Sequence, residues 1–417
     1  MKNFKDSGIE WLGEIPEHWE VVKINKIVTF VNGYAFENFD FNPIFEIPVI
    51  RIGDMQKEKI LYDNCLKTKE KEKLKQFLIS NNDILIALSG ATTGKIAFCD
   101  TDNKAYINQR VAIVRSKLKL VKYYFLTRGF SLLIELACNG SAQPNISTKE
   151  IGEFKIPLPP LKEQEQIAKF LDEKCEQIKN FIEKKEKLIT LLKEQKQAFI
   201  NKATTKGLDK NVNFKDSGIE WLGEIPEHWK LIKCKNFFVL KSIPIGDLWN
   251  KTKLLSLTLN GVIERDINNP EGKFPSDFST YQIVKEGDLI FCLFDVAETP
   301  RTIGLSKLNG MITSAYTIFE IKNQEKRFLE YFFIDLDNRK NLKFLYRGLR
   351  NTISKEDLLN LKIPLPPLKE QEQIANFLDE KCKKIDLLIE KTEKQIKLIK
   401  EYKTTLTNQA VCGRINL

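Results

Sequence analysis

Histidine is nearly missing from this 417-residue chain, which has only His18 and His228. Methionine occurs three times, and the eight cysteines never form a CxxC pair. These shortages exclude whole classes of chemistry. There is no HExxH, no nucleophile elbow and no PD-(D/E)xK-like nuclease constellation. His18 and His228 fall beside Trp19 and Trp229 in a repeated segment with no variable residues near in sequence to define a substrate, so packing or capping is the expected role. Thiols without ligand spacing read as reduced and packed, not as a disulfide framework or zinc site. No apolar run approaches the roughly 20 residues of a membrane span, and the N-terminus lacks the regions of a signal peptide. A cytoplasmic, non-catalytic protein is expected.

What the chain does have is repetition. The segment NFKDSGIEWLGEIPEHW occurs unchanged at residues 3–19 and 213–229. KIPLPPLKEQEQIAKFLDEKC at 155–175 returns at 362–382 with Lys169 replaced by Asn376 alone. The stretches between them, 20–154 and 230–361, share little sequence. A constant frame thus carries two variable inserts, as suits a protein that reads two different things at a fixed separation. Net charge is +10, which suits a polyanion partner.

After each IPLPPL the paired prolines impose an extended lead-in, and a run free of Pro and Gly follows until Gly207 and Gly413. The first run carries an apolar seam at Leu171, Cys175, Ile178, Ile182, Lys185, Ile189, Leu192, Lys196 and Phe199, stepping by fours and threes. The second keeps it at Leu378, Cys382, Ile385, Ile389, Thr392, Ile396, Ile399, Lys403 and Leu406. Such a heptad predicts two long helices that pair as a coiled coil. A helix from 162 to 200 would be about 60 Å long, or about 17 base pairs of duplex DNA.

The inserts read as β-rich, with short β-branched or aromatic segments at 84–88, 111–114, 289–293 and 316–321. Each closes on a helix-start signal, Ser147-x-x-Glu150 and Ser354-x-x-Asp357. The fold class is therefore α+β: two β-rich domains joined by two long helices. Ser89-Gly90-Ala91-Thr92-Thr93-Gly94-Lys95 imitates a phosphate-binding loop but is one residue short between its glycines and has Ile96 where a hydroxyl belongs, so it reads as a polar loop between strands. Asn42-Pro43-Ile44-Phe45 approaches the amine-gripping motif of amino-methyltransferases, but Ile44 replaces its second proline and no glycine-rich cofactor loop accompanies it. It reads as a surface turn.

Polar loops flanked by basic residues remain. In the first insert they carry Thr92, Thr93, Lys95, Asn108, Gln109, Arg110, Gln143 and Asn145; in the second, Thr299, Arg301, Ser306, Arg347, Arg350 and Asn351. Arg, Asn, Gln and Thr match the donor and acceptor edges of bases in the major groove. These are the candidate DNA-binding residues.

The PLPPLKEQEQIA frame with its long helix, the Ser-Gly-Ala-Thr-Thr-Gly-Lys loop and the duplicated plan resemble the specificity subunit of type I restriction-modification systems. The resemblance implies two target recognition domains separated by conserved helices that form an antiparallel coiled coil. Residues 1–154 would hold the first domain with its repeat segment and 155–209 the first helical region; 210–361 and 362–417 would follow the same plan. It implies double-stranded DNA as target, two modification subunits that bind S-adenosylmethionine and methylate adenine, and motor-nuclease restriction subunits. No cofactor is expected in this chain. A self-contained DNA methyltransferase and a duplicated protein-binding scaffold are the rival readings.

Overall fold

A computed structural model describes residues 3–9, 11–56, 58–99, 102–138, 144–266 and 277–415. The chain forms two compact units, Met1–Lys185 with Lys394–Leu417, and Glu186–Glu393. The division passes through both long helices, so each unit holds one repeat segment, one insert and part of each helix.

In the first unit the repeat segment folds as a hairpin of Phe4–Asp6 with Glu14–Pro16. Glu20–Lys23 then pairs antiparallel with Lys155–Leu158. The strands that enter and leave the insert are therefore neighbours, and the insert hangs as a closed module on a two-stranded link. The second unit repeats the device: Phe214–Asp216 pairs with Glu224–Pro226, and Lys230–Lys233 with Lys362–Leu365.

The unlike inserts share a topology. A four-stranded antiparallel sheet in the first runs Ile96–Phe98, Ile84–Ala87, Val111–Arg115, Thr29–Asn32. Its counterpart runs Ile303–Leu305, Leu289–Phe291, Thr317–Ile321, Phe238–Lys241. Alternation explains how each sheet is covered on both faces. Ile84 and Ile86 join the helix-side core, whereas Leu85, Val111 and Ile113 turn into a second core with Ile50 and Ile107. Leu289, Phe291 and Phe319 face one way, and Ile290 and Ile318 the other. Each such side chain contributes roughly 1.5–3 kcal/mol of burial.

The helices run from Leu161 to Lys206 and from Leu368 to Val411, 46 and 44 residues. The first is thus about 69 Å long, extending six residues beyond the sequence-based bound of 200. Its start is fixed by Pro159 and Pro160, which have no N–H to continue the strand. Gln164 donates its side-chain amide to the Pro159 carbonyl at 2.6 Å, and Gln371 does the same to Pro366 at 2.9 Å. Both helices end on a left-handed glycine, Gly207 (φ +74°) and Gly413 (φ +72°). A Cβ at Gly413 would lie 2.5 Å from Pro16, so the close approach as well as the φ demands glycine.

Every seam position in both helices is buried or half-buried, and Thr392 is only 6% exposed. In the second unit Lys196 pairs with Asp386 at 2.7 Å and Phe199 meets Phe377 edge-on at 6.4 Å. Residue numbers rise along one helix as they fall along the other, which is the antiparallel pairing expected. In the first unit Ile167, Leu171 and Cys175 share a core with Leu406, Ala410 and Val411. The expected caps form: Ser147 and Glu150 make a reciprocal capping box, and Ser354 accepts from Asp357 N at 3.0 Å.

The only two histidines sit at equivalent places. His18 Nε2 lies 2.6 Å from Glu163 Oε1, and Trp19 Nε1 donates to Glu163 Oε2 at 3.0 Å. His228 and Trp229 hold Glu370 likewise, at 2.8 and 3.1 Å. Each repeat segment thus grips the first turn of the long helix in its own unit. A second tie recurs: Tyr123 donates to Asp172 at 2.6 Å and Tyr331 to Asp379 at 2.8 Å.

Candidate nucleic-acid interface

In the first insert three separated segments meet at one end of the four-stranded sheet. Strand Ile84–Ala87 runs into the glycine loop, which closes on itself through Thr93 Oγ1, donating to Gly90 O at 2.7 Å. The late turn packs against it: Gly90 N donates to Pro144 O at 2.9 Å and Ile146 N to Leu88 O at 2.9 Å. Leu88 N bonds Arg110 O at 2.9 Å, which brings in the 108–110 turn. Thr92, Gln109, Arg110 and Asn145 are exposed there, while Thr93, Lys95 and Asn108 are half-buried. Thr93 also donates to Pro144 O at 3.0 Å, so its hydroxyl is committed to holding the loop. Gln143 lies outside the described residues. The loop is a polar connection between strands, as its sequence indicated, and Asn42–Phe45 is a surface turn in which Asn42 Oδ1 accepts from Ile44 N at 3.1 Å.

The second insert builds the same corner from different residues. Leu293 O accepts from Ile353 N at 2.8 Å, and Asp295 N donates to Arg350 O at 2.8 Å, which repeats the joining of central-strand loop and late turn. Lys340 pins the loop by donating to Val296 O and Thr299 O, both at 3.0 Å, and to Asp337 at 2.8 Å. Asp295, Lys340 and Asn351 all adopt positive φ, half of the six non-glycine residues that do so among those described. Backbone strain of this kind persists where surrounding contacts over-determine it, and it concentrates at functional sites.

Arg350 extends over the Phe294 ring, 5.6 Å from its centroid, and its Nε donates to Asp295 Oδ1 at 3.0 Å. That bond holds the Asp295 carboxyl below the usual carboxylate range, and the carboxylate in turn raises the guanidinium. Arg347 bonds Asp357 at 2.7 Å, and Asn351 bonds Glu298 at 3.0 Å. Both arginine side chains stay about 70% exposed. Thr299 and Arg301 are half-buried at the rim, and Arg301 Nη1 is buried without a hydrogen-bond partner among the described residues.

Ser306 does not belong with them. It is 1% exposed, donates its hydroxyl to Leu308 O at 2.7 Å and bonds Asp288 O through its N–H at 2.8 Å. The strand Ile303–Leu305 carries it to the opposite end of the sheet, beside the start of Leu289–Phe291, where it shapes a turn. Residues 313–316 were missed in its place. Tyr316 N donates to Thr313 O at 3.1 Å as Val111 N donates to Asn108 O at 2.8 Å, so this turn is the counterpart of 108–110. Tyr316 stacks on Phe294 at 6.2 Å and 13°. The signal available in sequence was position: each turn lies between the same two strands.

Among the described residues no cluster of three or more His, Cys, Asp or Glu could hold a metal ion, and no helix is long and apolar enough to cross a membrane. The chain matches the family model of the Type I restriction modification DNA specificity domain over residues 16–202 and 301–398. It is 30% identical to the putative type I restriction enzyme MjaX specificity subunit of Methanocaldococcus jannaschii, covering all of this chain and 97% of that one. The MjaVIII specificity subunit of the same organism is 28% identical, with 97% and 94% covered. In fold, the chain is similar to one from a structural study of type I restriction-modification assembly (TM-score 0.66, 15% identity, 96% of this chain and 99% of that). The HsdS subunit of Thermoanaerobacter tengcongensis gives a TM-score of 0.51 at 15% identity over 96% and 98%. The constant frame, the two paired helices and these matches place the chain in the family of specificity subunits of type I restriction-modification systems.

Proposed function

We propose that this chain reads a bipartite, asymmetric site in double-stranded DNA, with residues 20–154 responsible for one half and 230–361 for the other. The observation that carries the reading is the repeated corner: one four-stranded sheet topology, the same joining of central-strand loop to late turn, and different side chains in the two inserts. Like scaffolds with unlike tips suit two different half-sites. Thr92, Lys95, Asn108, Gln109, Arg110 and Asn145 are the candidate contacts of the first half, with Thr93 holding the loop that presents them. Thr299, Arg301, Arg347, Arg350 and Asn351 are those of the second, joined by the 313–316 turn. Exposed lysines would hold phosphates while these loops select bases. The helix length sets the unread spacer between the halves.

The chain itself performs no chemistry in this account. Two modification subunits, each supplying S-adenosylmethionine, dock on the repeated helix faces and methylate adenine, and motor-nuclease restriction subunits join the same complex in the cytoplasm. The domain scheme is the one set out from sequence, with boundaries after 154, 209 and 361. The test combines the purified chain with its modification subunit and follows methyl transfer to DNA. Transfer should require both proteins and fall on a two-part, non-palindromic motif. Methyl transfer by the chain alone, or a palindromic motif, would contradict the proposal.

A further inference from the structure

Leu349 is fully exposed, at 105%, and it stands at the tip of the late turn in the second corner. Reciprocal bonds between Arg347 and Thr352, 2.9 and 3.0 Å, close a hairpin whose loop is Gly348, Leu349, Arg350 and Asn351. Gly348 and Asn351 supply the positive φ that the turn requires, +65° and +43°. Three side chains then fasten this loop from outside: Arg347 to Asp357, Arg350 to Asp295 and Asn351 to Glu298. Single exposed apolar residues are common on protein surfaces. This one differs in being held rigid between two exposed guanidinium groups. Although each guanidinium is paired with a carboxylate, both arginine side chains stay about 70% exposed and keep donors free on either side of the tip, and a tip already ordered loses little entropy on contact.

We propose that Leu349 is a specificity-determining residue of the second insert, making apolar contact with the C5-methyl group of a thymine in the major groove. That methyl is the one apolar feature a base pair presents there. The flanking arginines contact phosphates or base edges and set the depth of the tip. The inference rests on the reading that residues 230–361 own a half-site.

The experiment assembles the chain with its modification subunit and measures affinity for target duplexes in which each thymine of the second half-site is replaced singly by uracil, which removes only the methyl group. The wild-type complex should lose roughly threefold to tenfold in affinity at one position, as expected for a buried methyl. Leu349→Ala and Leu349→Ser should bind the natural site correspondingly more weakly and show no thymine–uracil difference at that position, with other positions unchanged. Wild-type ratios at every position in both variants would overturn the proposal. So would a wild-type complex indifferent to all uracils, or loss of modification-subunit binding in the absence of DNA, which would place Leu349 in a protein contact. Exchange of 230–361 for a relative's insert separates the two failures. If the motif half follows the insert, only the role of Leu349 falls; if it does not, the half-site reading falls with it.

Discussion

Glu163 and Glu370 each accept from a tryptophan and meet a histidine, so the same two-sided grip anchors both long helices to their repeat segments. Removing either carboxylate leaves the indole N–H of a buried tryptophan without its partner, and bonds to charged acceptors are worth about 1.5–3 kcal/mol. Glu163→Ala and Glu370→Ala should therefore lower stability by similar amounts in that range, read from the denaturation midpoint of each variant. A loss confined to one of them would contradict equivalent roles. At the corner of the second insert, Arg350→Ala should relax base choice at one position of one half-site, costing about 1–3 kcal/mol if the guanidinium reads an edge. Uniform weakening across all sites, measured by methylation of a randomised target library, would instead make it a phosphate contact. Because the bond to Arg350 lowers the Asp295 pKa, the stability from this pair is present above the ordinary carboxylate pKa and is lost only as pH falls through the lower folded value. Discrimination due to Arg350 should then be unchanged between neutral and mildly acid pH. Residue roles were the least legible in sequence. Ser306 is indistinguishable in sequence from the other polar loop residues, and only the direction of its strand buries it. Leu349 carried no signal at all, since apolar residues are expected inside and their exposure depends on the whole fold.

At the scale of elements the sequence was far more informative, because helix periodicity and strand alternation are local. The seam from Leu171 to Phe199 and from Leu378 to Leu406 stays less exposed than the faces beside it, including the interruptions at Lys185 and Thr392. Thr392 keeps its buried hydroxyl satisfied by donating to Leu388 O at 2.7 Å, which explains how a polar residue is tolerated there. The glycine loop, the Asn42 turn and both serine caps were also readable from short motifs. Pairing of the inserts' strands was not, because the joints at Leu88 and Leu293 connect segments distant in sequence. The helices give a prediction of their own. Inserting four residues after Leu192 lengthens that helix by about 6 Å, nearly two base pairs at about 3.4 Å each. The unread spacer should grow by one or two base pairs while both half-sites keep their sequence. An unchanged spacer in an active variant, seen by mapping methylated sites, would show that helix length does not set the distance.

At the scale of the whole chain, duplication separates what is constant from what varies. The constant frame contains the grips on Glu163 and Glu370 and the identical strands Lys155–Leu158 and Lys362–Leu365, each paired with the first strand of its insert, while the variable corners hang beyond them. Identity at exposed positions such as Lys5 and Lys215, or Glu14 and Glu224, exceeds what packing requires. Recent duplication or exchange within the gene predicts nearly identical DNA in the paired blocks, whereas constraint from binding one partner twice predicts synonymous differences; sequencing the gene distinguishes them. The central claim is modular reading, and it has a direct measurement. Replacing residues 230–361 with the corresponding insert of a relative, at the paired strands where the module begins and ends, and mapping methylated adenines genome-wide should change one half of the motif and leave the other half and the spacer intact. A change in both halves, or in neither, would contradict the account.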